Sequence, residues 1–249
     1  MPAQTRTAQS TGTRLDLPPG FRLVTLREVG DAFAHACAHA GELGAGTLVF
    51  VGRFDLAEFA VVLEPDEPLA TARRAFYAGM VALVDALIVR APPEKPIEIV
   101  WPDAVAVDGG LVGGGRLAWA EGPEDEPPAW MVFGATIRTV AMAEKEPGLR
   151  PLAAALEDEG FDEAGGERIA ESFARHLMTQ IDGWQERGFG SVAKDYIPRL
   201  SPQKGISRTI DGNGDLLVRR LGKADVERRR LLSALGAPSW LDPATGGPR

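Results

Sequence analysis

The amino-acid sequence predicts an α+β chain: a mixed, mainly antiparallel sheet flanked by helices, with a small C-terminal extension. Three observations carry that expectation. Two long segments, 66–90 and 167–188, repeat apolar residues at three- and four-residue steps, the period of a helix with one buried face. Around them lie short runs rich in β-branched and aromatic residues, bounded by glycine, proline and aspartate. The chain also holds 29 glycines and 19 prolines in 249 residues, above the roughly 12% of average usage. That excess points to turns and close backbone approaches rather than to a helical bundle.

Taken in order, residues 1–19 are expected to form a flexible N-terminal tail, 20–200 the main body and 201–249 the extension. Leu26, Val29, Phe33, Ala36, Cys37 and Ala40 give a helical pattern over 26–41, which Gly41 and Gly44 end. Thr47–Val51 and Glu58–Leu63 read as strands joined by Gly52-Arg53-Phe54-Asp55, the second apolar enough to be buried on both faces. Asp66 is the expected N-cap of the next helix, with Pro68 in its first turn. Leu69, Ala72, Phe76, Met80, Leu83, Val84 and Leu87 continue it to Arg90, and Pro92-Pro93 closes it.

Ile97–Trp101 is a strand stopped by Pro102. Ala104–Val107, the Asp108-Gly109 turn and Leu111–Trp119 form a hairpin, because Asp-Gly suits the positive φ angles of a tight turn. A charged loop at 121–128 precedes a strand over Trp130–Met142. Pro151–Glu159 is expected to be a short helix, Glu167–Gly188 a longer one and Val192–Leu200 its continuation after a glycine break. Ile206–Arg219 reads as a hairpin and Val226–Leu235 as a last helix. The helices are expected on one side of the sheet.

Composition excludes several classes. Apolar residues at 45% and charged residues at 25% are ordinary for a globular chain. One cysteine, Cys37, excludes an intramolecular disulfide and any cysteine-cluster metal site. No apolar run is long enough to span a membrane, and the N-terminus lacks a secretory apolar region, so a cytoplasmic protein is expected. The net charge of −8 argues against nucleic-acid binding. Charge is uneven: residues 201–249 hold nine Lys/Arg against five Asp/Glu, a basic run read as a solvated face.

Two stretches carry chemistry. Trp101-Pro102-Asp103-Ala104-Val105 leads into Asp108-Gly109-Gly110-Leu111-Val112-Gly113-Gly114-Gly115-Arg116, and Trp130–Ile137 follows. Glycines without a Cβ let a flat or anionic ligand lie against a strand, and backbone N–H groups there can bind phosphate or carboxylate. A hollow floored by bare main chain near Gly113, Gly114 and Gly115 is therefore expected, with Trp101 and Pro102 as its apolar wall.

These blocks, over about residues 20–220, resemble the catalytic domain of the biotin protein ligase and lipoate–protein ligase superfamily, whose fold is shared with class II aminoacyl-tRNA synthetases. That family reads Lys-Trp-Pro-Asn-Asp, then Lys-hydrophobic-Gly-Gly, then a strand of the type Trp-hydrophobic-hydrophobic-Gly-small-Gly-Ile-Asn. Ile206–Val218 resembles part of its small C-terminal barrel. The resemblance implies a ligase that binds biotin, lipoate or octanoate and forms an acyl-adenylate with ATP and Mg²⁺. It would then pass the acyl group to a lysine of a biotinyl- or lipoyl-type carrier domain. Arg53, Asp103 and Arg116 would act in catalysis, and Trp101, Pro102, Gly113, Gly114, Gly115 and Arg138 would bind ligands, with no protein metal site. The resemblance leaves a homodimer open. No N-terminal helix-turn-helix of repressor-type ligases is recognisable, so no operator binding is expected.

The departures bear on the reaction. The family's first lysine falls at Val100, its Asn-Asp pair at Asp103-Ala104, and its lysine before Gly-Gly at Leu111, or at Val112 if the register slides by one. Its arginine-rich loop is reduced to Gly52-Arg53, and its strand-ending Asn falls at Arg138. Losing one preorganised electrostatic donor costs about 3–4 kcal/mol of transition-state stabilisation. Adenylation therefore requires Arg53, Arg116 or Arg138 to reach the cleft. The alternatives are a ligase-fold protein that binds an acyl ligand or carrier without adenylating, and a thioester-dependent acyltransferase using Cys37. His35 and His39, at i, i+4, lack a third ligand in their helical motif, His176 is expected to be structural, and Arg73-Arg74 are expected to face the 121–126 acidic loop or solvent, with solvent preferred.

Overall fold

The computed structural model describes residues 14–142, 153–162 and 165–249. Among them the chain runs β1 (Arg22–Leu26), α1 (Ala32–Leu43), β2 (Thr47–Val51), β3 (Leu56–Leu63), α2 (Leu69–Ala72), α3 (Ala75–Ile88), β4 (Ile97–Val100), β5 (Ala104–Val107), β6 (Gly110–Trp119) and β7 (Met131–Arg138). It continues through α4 (Gly166–Arg187), α5 (Gly190–Tyr196), β8 (Ile206–Ile210), β9 (Leu216–Arg220), β10 (Val226–Arg229) and α6 (Leu231–Leu235). Among the described residues, seven strands form one sheet in the order β1-β2-β3-β7-β6-β5-β4, and β10-β9-β8 form a second. All neighbours pair antiparallel except β1 with β2, which α1 connects as a crossover. The expected mixed, mainly antiparallel α+β fold is the one observed.

The two faces of the main sheet are covered differently. Phe50, Phe59, Val61, Phe133 and Ala135 pack under α3 and α4 in the larger core, with Phe133 stacked on Phe173. Val49, Val51, Ala60, Val62 and Val132 pack under Ala32, Ala36 and Ala40 of α1. Helices on one side only is therefore corrected: β2 and β3 are apolar on both faces, and both faces are covered. The expected helix at 26–41 starts later for a local reason. Leu26 belongs to β1, and Asp31 caps α1 by accepting from the Ala34 N–H at 2.8 Å.

The expected single helix of 66–90 is two. The first-turn N–H groups of Leu69 and Ala70 donate to the carbonyls of Glu126 and Glu124, so the acidic loop, not Asp66, satisfies them. The turn at Arg73-Arg74 faces inward rather than to solvent. Arg73 is buried, pairs with both carboxylate oxygens of Glu124 at 2.6 Å and lies over the Trp119 ring.

Of the expected helix at 151–159, Pro151 and Leu152 lie outside the described residues. From Ala153 the chain runs beside the sheet: Ala154, Leu156 and Glu157 donate to the carbonyls of Leu111, Arg138 and Thr139 instead of to carbonyls four residues back. The strand expected to Met142 ends at Arg138, where Thr139 and Val140 turn their N–H groups to the Asp55 carbonyl. Of the expected tail, residues 1–13 lie outside the described residues, while Leu15 is buried and the Asp16 N–H donates to Glu171.

In the extension, the hairpin of β8 and β9 is present as expected, its turn held by Asp211, which accepts from the N–H groups of Asn213 and Asp215. The helix expected over 226–235 is corrected: Val226–Arg229 pairs with β9, and only Leu231–Leu235 is helical, its first N–H held by Asp215. The second sheet packs on the main core through Leu216 and Val218, and the buried Tyr77 hydroxyl donates to the Gly214 carbonyl.

Candidate active site

The three glycines of β6 meet three different constraints. At Gly113 a β-bulge shifts the register against β5, φ is +148°, and a Cβ would strike the Thr136 carbonyl. Gly115 turns toward the helical face, where a Cβ would strike Met80 and Phe133. Gly114 turns to the opposite face, where the Asp103 carbonyl and the Trp240 ring stand over its Cα.

The hollow expected there is filled by the chain's own C-terminus. The Trp240 side chain is 0% exposed, and its Nε1–H donates to the Gly115 carbonyl at 3.0 Å. Ser239 is fastened to the Asp103 carboxylate twice, through its N–H at 2.8 Å and its hydroxyl at 2.6 Å. Burial raises the Asp103 pKa, and the two Ser239 bonds oppose that rise. Arg138, at the end of β7, donates to the carbonyls of Pro248 at 2.7 Å and Arg249 at 3.4 Å.

Beside this filled bed lies a cavity of about 450 Å³. Arg53, Asp55, Arg138 and Asp158 bring charge to its wall, Leu56, Val140 and Met142 bring apolar surface, and Thr245–Pro248 close one side. Arg53 grips Asp55 through two bonds of 3.0 and 2.7 Å, which holds the Asp55 carboxyl below its ordinary pKa. Phe54 between them is 66% exposed.

The sequence-predicted residues thus fall in four places. Arg53 and Arg138 share the cavity, while Asp103, Gly114 and the Gly115 carbonyl share the bed. Arg116 stands elsewhere, over the Phe33 ring at 4.3 Å and bonded to Asp31 at the start of α1. Trp101 and Pro102 do not wall the bed, which is a correction. The Trp101 indole packs against the helical-face core and donates to the Tyr77 hydroxyl, and the Pro102 carbonyl accepts from Tyr196 at 2.8 Å. The chain reverses at 101–103, so Asp103 and Trp101 fall on opposite sides. The peptide between Trp101 and Pro102 is cis. Leu111, at the family's lysine position, bridges to Ala153.

Glu58 is a buried carboxylate beside Arg53 to which the sequence reading gives no role. It is buried on β3, accepts from the Ala32 N–H at 2.9 Å and lies 4.0 Å from Arg53, and burial raises its pKa. Its one sequence signal is a lone carboxylate inside an apolar strand. The Ser239-Trp240 anchor carries one sequence signal, a tryptophan in a Pro/Gly-rich tail, since tryptophan is highly buried on average. Burial pushes the Cys37 thiol up to about 11, so almost no thiolate exists at neutral pH. His35 and His39 stack on each other at 4.4 Å, and among the described residues no three His, Cys, Asp or Glu side chains could hold a metal together.

With this geometry in view, comparison with known proteins is specific. The model of the Biotin/lipoate A/B protein ligase family matches residues 17–198. A crystal structure from Silicibacter sp. TM1040, described as a biotin protein ligase-like protein of unknown function, superposes with TM-score 0.74 and 27% identity over 88% of this chain and 98% of that one. Biotin protein ligase from Aquifex aeolicus superposes with TM-score 0.61 and 15% identity over 84% and 99%. The same enzyme in complex with biotin and ATP gives 0.59 and 16% over 84% and 98%. Comparison with curated protein sequences returns no match.

Proposed function

Because the chain belongs to the Biotin/lipoate A/B protein ligase family, we propose that it binds biotin, lipoate or octanoate and activates the acid with ATP. The carboxylate attacks the α-phosphorus and pyrophosphate leaves; the acyl group of the adenylate then passes to a lysine amine of a biotinyl- or lipoyl-type carrier domain, releasing AMP. The supporting observation is the shared cavity, to which Arg53 and Arg138 both contribute, beside the Gly114 bed that Trp240 covers.

In this reading the acid's apolar part lies on the Gly114 bed. Its carboxylate and the nucleotide phosphates occupy the cavity, where Arg53 and Arg138 offset the repulsion between two anions in place of the missing lysine. Asp103 presents an acceptor at the rim of the bed. Mg²⁺ in phosphate chemistry is held by one or two carboxylates together with phosphate oxygens, and Asp158 on the cavity wall is a donor of that type. Asp55 meanwhile fixes the direction of the Arg53 fork. Arg116, tied to Asp31, supports the N-terminus of α1 rather than the reaction.

The non-adenylating acid or carrier binder is favoured by Leu111 at the lysine position and by the neutralising Arg53–Asp55 pair. The thioester transferase is disfavoured by the protonated Cys37. Acid-dependent exchange of pyrophosphate into ATP decides among them. Exchange with one of the three acids is the expected result. Acid binding without exchange establishes the binder, and neither binding nor exchange overturns both.

A further inference from the structure

We infer that the C-terminal segment Ser239–Arg249 is a built-in competitor for the acid bed, so that a ligand seats on Gly114 only when Trp240 leaves it. The inference rests on the family reading above and adds regulation of that same site.

Three observations carry it. The first is spatial exclusion. The Trp240 indole is fully buried over Gly114, sharing that space with the Asp103 carbonyl of the body, and its N–H takes the Gly115 carbonyl. A second flat group cannot enter while the indole is there. The second is that the segment borrows the polar groups a ligand would need. Ser239 takes both oxygens of Asp103, and the Pro248 and Arg249 carbonyls take Arg138.

The third is that the segment is internally closed. Asp242 donates its N–H to the Gly247 carbonyl, Gly246 to that of Asp242, and Arg249 to that of Trp240, while Leu241 and Pro248 form a bridge. A compact loop of this kind keeps its own bonds when it lifts and surrenders only its contacts with the body. Exposed Gly236 and Ala237 link it to α6 and provide the hinge. Lifting it would open the bed into the existing cavity, one wall of which is Thr245–Pro248.

The test measures dissociation constants for biotin, lipoate and octanoate on the full chain and on the Trp240→Ala and Ser239→Ala variants. In parallel, chymotryptic cleavage after Trp240 is followed in the intact chain with and without acid. If the open bed is the minor state at about a tenth or less of the population, Trp240→Ala tightens binding at least about tenfold. Ser239→Ala tightens it less, and it serves alone if circular dichroism shows that Trp240→Ala is unfolded. Acid also speeds cleavage after Trp240. Equal or weaker affinity in both variants, with Trp240 still protected in the acid complex, overturns the inference and leaves the family reading standing. Failure of every acid to bind any of the three chains overturns both.

Discussion

The two faces of the main sheet use the same strands for opposite ends. On the helical face, side chains of β3, β6 and β7 meet α3 and α4 in a dry aromatic core, and Gly115 is there to admit Met80 and Phe133. On the other face the same strands present Glu58, Thr136, Arg138 and Gly114. There α1 covers one part, and the C-terminal segment covers Gly114 and reaches Arg138. Neighbouring glycines thus answer to different demands, one to the Met80 and Phe133 side chains and one to the Asp103 carbonyl and the Trp240 ring. A glycine-rich strand by itself does not tell which.

The difference can be broken from either side. The largest stability effect belongs to the helical face: Phe133→Ala should cost about 3–5 kcal/mol in urea unfolding, because its ring stacks on Phe173 and fills the space beside Gly79. Acid affinity per folded molecule should be unchanged. On the other face, Arg53→Ala should cost about 3–4 kcal/mol in acid-dependent pyrophosphate exchange, a factor of about 10²–10³, with little change in melting temperature.

A smaller effect, with a definite sign, concerns Glu58. Burial raises its folded pKa above the unfolded value of 4.5. Its contribution to stability is therefore fully present below the unfolded pKa and is lost as pH rises through the folded pKa. Glu58→Gln keeps an acceptor for the Ala32 N–H and removes the buried charge. It should raise the melting temperature at pH 7, with the gain shrinking toward pH 4. A constant gain across that range would show that burial of charge is not the cause.

Much of this contrast was legible in the sequence, and the remainder was hidden for physical reasons. The apolar stripes of α3 and α4, the Asp-Gly hairpin and the doubly buried β3 follow from periodicity and turn chemistry. β1 was hidden because Leu26 and Val29 extend the helical pattern of α1 backward, and only the Asp31 cap separates them. Val226–Arg229 departs from the expected helix because strand pairing with β9, a tertiary event, outweighs the local helical pattern. At the candidate site, motif position points to Gly114, Asp103 and Arg138. Which face Trp101 would take depends on the reversal at 101–103, and that the C-terminus returns to cover Gly114 depends on contacts more than a hundred residues apart.

The most direct test is a crystal structure of the protein grown with biotin, lipoate or octanoate and ATP. The account predicts density for the acid on Gly114, its charged end toward Arg53 and Arg138, and the segment from Ser239 onward moved off the sheet. Trp240 still seated over Gly114, with no acid there at concentrations that saturate binding in solution, would contradict it.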